Sequence, residues 1–300
     1  LKMAQTPHRA GFVNIVGKPN VGKSTLMNIL VGERLSIVSS KAQTTRHRIL
    51  GLINTDEYQI VFSDTPGMLK PKYELHKSMM GFVNLSLEDA DVIVFVTDLY
   101  ENEEEIEDVI RKINESGIPI LLVINKIDLA KEGQLEEVTQ YWTSRIQATT
   151  VIPISAKEQF NTERILQEIV ERLPVHPPFY DKDELTDRPE RFFASEIIRE
   201  KIFTNYKKEI PYSTEVGIED FHEEENIIRI RATIIVERDS QKGIIIGHKG
   251  AAIKKVGIQA REDLEKFFGK QIFLETYVKV NKDWRTNERQ LKRFGYNQKK

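Results

Sequence analysis

Apolar and polar positions change rhythm along this chain. Through its first half, short runs rich in Val and Ile recur as "GFVNIVG", "YQIVFSD", "DVIVFVTD", "PILLVINK" and "TTVIPIS". Runs with so few polar interruptions predict strands buried on both faces, the habit of a parallel sheet covered by helices. Between them, Lys23–Val31 and residues 103–116 and 163–173 repeat their apolar positions at the helical period. "RILGLINTDEYQIVF" reads differently, as two strands about a polar "NTDE" turn, and predicts one antiparallel hairpin. Residues 9–175 therefore read as a doubly wound, mostly parallel α/β domain.

Residues 173–190, "LPVHPPFYDKDELTDRPE", interrupt this pattern with prolines and acids, and 176–190 are read as a linker. The order then becomes a helix from "PERFFASEIIREKIF", strands "TEVGIEDF" and "NIIRIRATIIVE", a glycine loop, a helix "AAIKKVGIQAREDLEKFF" and a strand "QIFLETYVKV". With a short helix before the glycine loop, that is α-β-β-α-α-β, a smaller α+β domain over 191–281. A basic tail over 282–300 carries scattered aromatics.

Composition adds three constraints. At 300 residues, with 40% hydrophobic and 30% charged, the chain has the make-up of a globular protein long enough for two cores. It has no cysteine, which removes disulfides and thiolate chemistry and fits a cytoplasmic protein, and none of its six histidines pair at a metal-binding spacing. The net charge of −2 is unevenly spread. Residues 1–180 carry 19 Lys/Arg against 24 Asp/Glu, 181–241 carry 10 against 16, and 242–300 carry 15 against 6. A basic end behind two acidic segments points to a localised face for a polyanion.

The sharpest chemical signal is "GKPNVGKST", in which Gly17, Gly22, Lys23 and Ser24 match the phosphate-loop pattern between a strand and a helix. Successive backbone N–H groups of such a loop curl around phosphates, the lysine neutralises the β/γ oxygens and the hydroxyl serves Mg²⁺. Gly17, Lys18, Pro19, Asn20, Val21, Gly22, Lys23, Ser24 and Thr25 are accordingly assigned to a nucleoside triphosphate. The base is read from "NKID": Asp128 can accept from both N–H groups on the imide edge of guanine, an edge adenine lacks. Asn125 ties this loop to the phosphate loop, the Lys126 stem covers the ring, and in "ISA" (Ser155, Ala156) the Ala156 N–H is expected to reach the guanine carbonyl. The nucleotide is therefore GTP or GDP. In "DTPGM" (Asp64, Thr65, Pro66, Gly67, Met68), Asp64 is expected to hold Mg²⁺ through water and the Gly67 N–H to meet the γ-phosphate. The polar loop "SSKAQTTRHR" offers Thr44 and Thr45, with Thr45 favoured as the switch threonine at Mg²⁺ beside Ser24 and Asp64. Met68 stands where Ras-type enzymes place a water-orienting Gln, and Met has no group for that task. Slow turnover is expected, with Lys23, Thr45 and Gly67 as catalytic groups. Asn20 is a further candidate, either holding K⁺ beside the β/γ bridge or only stabilising its loop.

With these motifs in this order, and with the G-x-x-G loop Gly247-His248-Lys249-Gly250 behind them, the whole chain resembles the Era family of GTPases. The resemblance implies a P-loop GTPase domain joined to a type II KH domain. It also implies binding of single-stranded rRNA near the 3′ end of the small-subunit rRNA, action on the 30S precursor in the cytoplasm, and peripheral association with the inner membrane. A monomer is expected. Gly247, His248, Lys249 and Gly250 would meet the sugar-phosphate chain, Lys254 and Lys255 phosphates, and Ile244, Ile245 and Ile253 the wall of a groove for unstacked bases, unless those isoleucines are core. Trp284, Phe294 and Tyr296 either stack bases or anchor a terminal helix to its own domain. Two functional classes stay open: a GTP switch controlling RNA binding, and an RNA-binding scaffold in which GTP is structural.

Overall fold

The computed structural model describes residues 7–100 and 106–296. Its first half is a six-stranded sheet of β1 (Arg9–Val16), β2 (Ile49–Asn54), β3 (Tyr58–Asp64), β4 (Val92–Thr97), β5 (Ile120–Ile124) and β6 (Thr150–Pro153), in spatial order β2-β3-β1-β4-β5-β6. All neighbours are parallel except β2 and β3, the expected hairpin. Helices α1 (Lys23–Val31), α2 (Glu74–Glu88), α3 (Glu107–Glu115), α4 (Gln134–Thr143) and α5 (Glu163–Arg172) flank the sheet. The start of the helix expected over 103–116 lies outside the described residues.

Strand β4 shows why these runs are apolar throughout. Val92, Val94 and Val96 enter one core with Leu26 of α1 and Ile165 of α5. Ile93 and Phe95 enter the opposite core with Val83 of α2, Ile110 of α3 and Trp142 of α4. Alternate side chains of one strand thus serve two cores, which keeps Val92 to Val96 apolar on both faces. The strand order reverses between β1 and β4, and such a switch point opens a crevice at the carboxyl ends of the strands.

The second half contains α6 (Glu190–Asn205), β7 (Glu215–Glu223), β8 (Ile227–Val236), α7 (Asp239–Ile246), α8 (Ala251–Phe268) and β9 (Gln271–Val280), followed by α9 (Glu288–Arg293). β8 is central, antiparallel to β7 and parallel to β9. Ile198 and Ile202 of α6, Ile245 of α7 and Val256, Ala260 and Leu264 of α8 pack with Ile228, Ile230 and Ile234 of β8. The α-β-β-α-α-β order is as expected.

Two segments pack more closely than their composition suggests. The stretch read as a linker lies along β2: the Leu52 N–H donates to Leu185 O at 2.9 Å and Asn54 Nδ2 to Glu184 O at 3.0 Å. It thereby covers the open edge of the large sheet. The tail aromatics do not offer faces for bases. Trp284 is fully buried and donates through Nε1 to Ser213 O at 3.0 Å, while Phe294 meets its ring edge-on at 5.7 Å. Tyr296 is buried against His47, the rings 4.3 Å apart. Trp284, Leu291 and Tyr296 form one cluster with Leu75, Met79 and Phe82 of α2, so the tail bridges from the second domain to the first. Apolar area outweighs charge here: burying rings this size gains more than leaving them exposed for a ligand.

Candidate functional site

The phosphate loop joins β1 to α1 at the switch point, beside a cavity of about 510 Å³. Pro19, Asn20, Gly22, Lys23, Ser24 and Thr25 line one side, Asn125, Lys126, Asp128 and Ala156 a second, and Thr45 with Gly67 a third. The motifs, scattered over more than a hundred residues, therefore converge on one space.

The loops are fitted closely. A Cβ at Gly67 would stand 2.7 Å from the Pro19 backbone nitrogen, so only glycine lets these two loops meet. The Met68 N–H donates to Gly17 O at 3.0 Å and fastens the same junction. Lys23, at the start of α1, donates through Nζ to Lys18 O at 2.6 Å and lines the cavity. The side chains of Val21, Thr65 and Met68 are buried away from the cavity, and the Thr65 hydroxyl donates to Ile15 O at 3.0 Å. Of this set, assigned to the nucleotide, these three can contribute only through their backbone. Met68 lies in the core beneath α2.

A cluster of oxygens fits a hard divalent cation. Ser24 Oγ donates to Asp64 Oδ2 at 2.7 Å and lies 2.8 Å from Thr45 Oγ1, which is 3.4 Å from Asp64 Oδ2. The other carboxylate oxygen, Asp64 Oδ1, is buried with no hydrogen-bond partner. Burial pushes the Asp64 carboxyl above its usual range, partly offset by the Ser24 hydroxyl and the Lys23 charge. A cation beside it would supply the missing compensation, and all-oxygen donors suit Mg²⁺. Of the two candidate threonines, Thr44 donates instead to Lys41 O at 2.6 Å.

At the base end, buried Asn125 bridges two loops, donating through Nδ2 to Val21 O at 2.8 Å and accepting the Ala156 N–H on Oδ1 at 2.9 Å. The Ala156 N–H, expected to reach the guanine carbonyl, lies on the cavity wall and donates here to Asn125, whose carboxamide satisfies both loops at once. Lys126 lays its stem along the cavity and ends on Asn20 O at 2.7 Å and Asp98 Oδ2 at 2.5 Å. Asp128 is exposed at the rim, oriented by the Ser155 hydroxyl at 2.7 Å. The wall also contains Ile37, Val38, Gln43, Leu129 and Lys157, which pattern reading passed over. Leu129 and Lys157 directly follow two of the motifs, whereas Ile37 and Val38 carry no signal.

In the second domain, Gly247, Lys249 and Gly250 all take positive φ (72°, 49° and 78°), turning the chain sharply between α7 and α8. His248 and Lys249 at the tip are exposed, as are Lys254 and Lys255 on α8. Beside them a shallow cleft of about 280 Å³ runs between α8 and β9, lined by Ile253, Lys254, Gly257, Ile258, Arg261, Leu274 and Thr276. Ile244 is 50% exposed, but Ile245 is 0% exposed in the core. Ile245 cannot wall a groove, because its position on α7 faces β8.

Fold and site together define a P-loop GTPase joined to a KH domain. Residues 12–126 match the model of the 50S ribosome-binding GTPase family and 209–285 that of the KH domain. GTPase Era of Geobacter metallireducens is 44% identical over 98% of this chain and 100% of its own length, and that of Geotalea daltonii is 45% identical over the same shares. Era of Aquifex aeolicus, as a variant bound to GDP and AlF4−, superposes with a TM-score of 0.90 at 40% identity, covering 96% of this chain and 99% of that one. An Era complex with MgGDPNP and nucleotides 1506–1542 of 16S ribosomal RNA matches at the same TM-score, identity and coverage. The chain belongs to the Era family of GTPases.

Proposed function

We propose that the protein is a GTP-driven switch that grips the single-stranded 3′ end of the small-subunit rRNA through its KH domain and assists assembly of the 30S precursor. The observation that carries this reading is the full-length likeness to an Era solved with both MgGDPNP and 16S rRNA nucleotides. In this reading the phosphate-loop N–H groups and Lys23 hold the β and γ phosphates, Asn125 and Asp128 select guanine, and Ser24, Thr45 and Asp64 hold Mg²⁺. Bound there, the ion neutralises charge on the phosphate oxygens. The Gly67 N–H meets the γ-phosphate, and Asn20 holds K⁺ where negative charge grows as the bond to the γ-phosphate breaks. Loss of the γ-phosphate releases 39–48 and 64–77 and changes the surface offered to the second domain. Lys249, Lys254 and Lys255 meet phosphates, and Ile253 with the cleft along α8 takes unstacked bases. The protein works as a cytoplasmic monomer, with peripheral contact to the inner membrane.

The test is GTP turnover measured with and without a single-stranded oligonucleotide of the rRNA 3′ end, joined to crosslinking of rRNA from the GTP-bound protein. Stimulation by RNA, with crosslinks at the G-x-x-G loop, is expected. Turnover indifferent to RNA favours the second reading, a scaffold with structural GTP, which the burial of Met68 recommends because the side chain that follows Gly67 is turned into the core. For Asn20, equal rates in K⁺ and Na⁺ would remove the cation.

A further inference from the structure

Thr45 and Arg46 are neighbours in sequence and belong to different domains in space. Thr45 turns its hydroxyl to Ser24 and Asp64. The Arg46 guanidinium is fully buried in the opposite direction, within the second domain. It donates through Nη1 to Thr214 O at 2.7 Å and Glu215 Oε2 at 3.2 Å, and through Nη2 to Pro211 O at 3.0 Å and Tyr212 O at 3.2 Å. These acceptors all lie on the connection between α6 and the start of β7. A planar guanidinium can serve such a fan of acceptors; a lysine ammonium cannot.

The same socket gathers the tail. The Tyr296 hydroxyl donates to the Glu215 oxygen that Arg46 uses. Arg199 of α6, paired with Glu196, donates to Thr44 O, the residue before Thr45. The loop 44–47 is therefore held between the oxygen cluster of the nucleotide pocket and a rigid seat on the KH domain. Other groups cross this boundary as well: Lys41 donates through Nζ to Phe203 O and Tyr206 O, and Arg34, half exposed, reaches Glu200 and Asp263, but neither adjoins the switch threonine.

We propose that Arg46 is a positioning residue of the GTPase reaction, acting through Thr45, and a principal link by which nucleotide state reaches the RNA-binding domain. The proposal rests on the switch reading given above. Hydrogen bonds weaken quickly beyond about 3.2 Å. A displacement of Thr45 by an ångström or two must therefore carry the KH socket with it or pull Arg46 out. Coupling between two sites is reciprocal, so RNA that shifts the socket also shifts Thr45.

The test uses the full chain, with the double variant Arg46→Met, Glu215→Gln chosen so that no unpaired charge stays buried. Affinity for a single-stranded oligonucleotide of the rRNA 3′ end is measured by fluorescence anisotropy with GDP and with GDPNP. Wild-type protein is expected to show a ratio of about tenfold between the two states, within the usual range for coupled sites. In the double variant the ratio falls to within about twofold of one, while GDP affinity, which does not draw on the switch threonine, stays near wild type. Turnover falls in kcat rather than KM and loses its response to RNA. If the double variant does not fold, Arg46→Lys takes its place, with an expected loss of at least about threefold in the ratio, because one ammonium cannot serve every acceptor. A wild-type ratio in the folded double variant, or in Arg46→Lys where that replaces it, overturns the assignment of Arg46 and leaves the switch reading intact. A ratio of one in the wild-type protein overturns the switch reading itself, and this inference with it.

Discussion

At the phosphate loop the backbone turns against its own domain, whereas at Gly250, the second glycine of the G-x-x-G loop, it turns against open surface. A Cβ on Gly67 would collide with Pro19, but one on Gly250 meets nothing within 4 Å. The first site is enclosed, with Asn125, Lys126 and Ser155 cross-bonding the loops that form it. The second is a strained turn, with Lys249 and Gly250 in the left-handed region and exposed lysines beside it. A compact, highly charged ligand that must be held still needs fixed N–H groups; a flexible strand needs a protruding turn and a shallow cleft that it can lie across. The two sites should therefore fail differently when altered.

The largest effect is expected for Lys23→Ala. Removing a buried, hydrogen-bonded cation from phosphate costs about 3 kcal/mol or more, a loss of at least about 100-fold in GTP affinity by titration calorimetry. RNA affinity should at the same time stop responding to added GTP. Asp128→Asn comes next. Its amide presents a donor where guanine also donates, so GTP binding weakens by about 10- to 100-fold and xanthine nucleotide binds better than in the wild-type protein. Unchanged selectivity between the two nucleotides would sink the guanine assignment.

Gly250→Asp tests the other side of the comparison. A side chain at φ 78° costs about 1–2 kcal/mol, and the new carboxylate repels the phosphate chain. RNA affinity should drop by roughly tenfold while GTP affinity does not change; survival of RNA affinity would show that the loop is misread. The smallest effect concerns the seam between the domains. Burial, with the charges of Arg46, Arg285 and Lys72, lowers the pKa of His76 on α2 from 6.5 to about 4. The unfolded chain then takes up this proton first, so the contribution is full above pH 6.5 and declines as the pH falls toward 4. In His76→Phe the loss of Tm between pH 7 and pH 5 should shrink by about 2–4 °C in a thermal melt.

Much of this protein could be read from residue order. The uninterrupted runs of β4 and β5 imply a sheet covered on both sides, and the structure has that sheet, with the antiparallel β2–β3 hairpin where "NTDE" placed it. The GTP motifs are local strings whose chemistry depends on residue type and spacing. Three readings needed space to decide them. Ile244 and Ile245 are adjacent in an apolar run, yet one is half exposed and the other is core, because a helix turns successive side chains by about 100°. The Ala156 N–H donates to the Asn125 carboxamide, 31 positions away, a contact that no local string records. The tail aromatics carried the composition of a nucleic-acid binder and instead fill the face of α2.

Sequence alone settled which chemistry each motif can perform, since a phosphate loop, a guanine carboxylate and a G-x-x-G turn are each defined within a few residues. It also settled the layers of both domains, which follow from hydrophobic period. Only the tertiary structure decided how those parts are joined: that 176–190 covers a sheet edge, that the tail grips α2, and that Arg46 belongs to the partner domain. Such contacts pair groups far apart in the chain, as the Leu75 N–H with Arg285 O, 210 positions on. Their energy comes from burial and hydrogen-bond geometry between surfaces, which no local pattern of residues records.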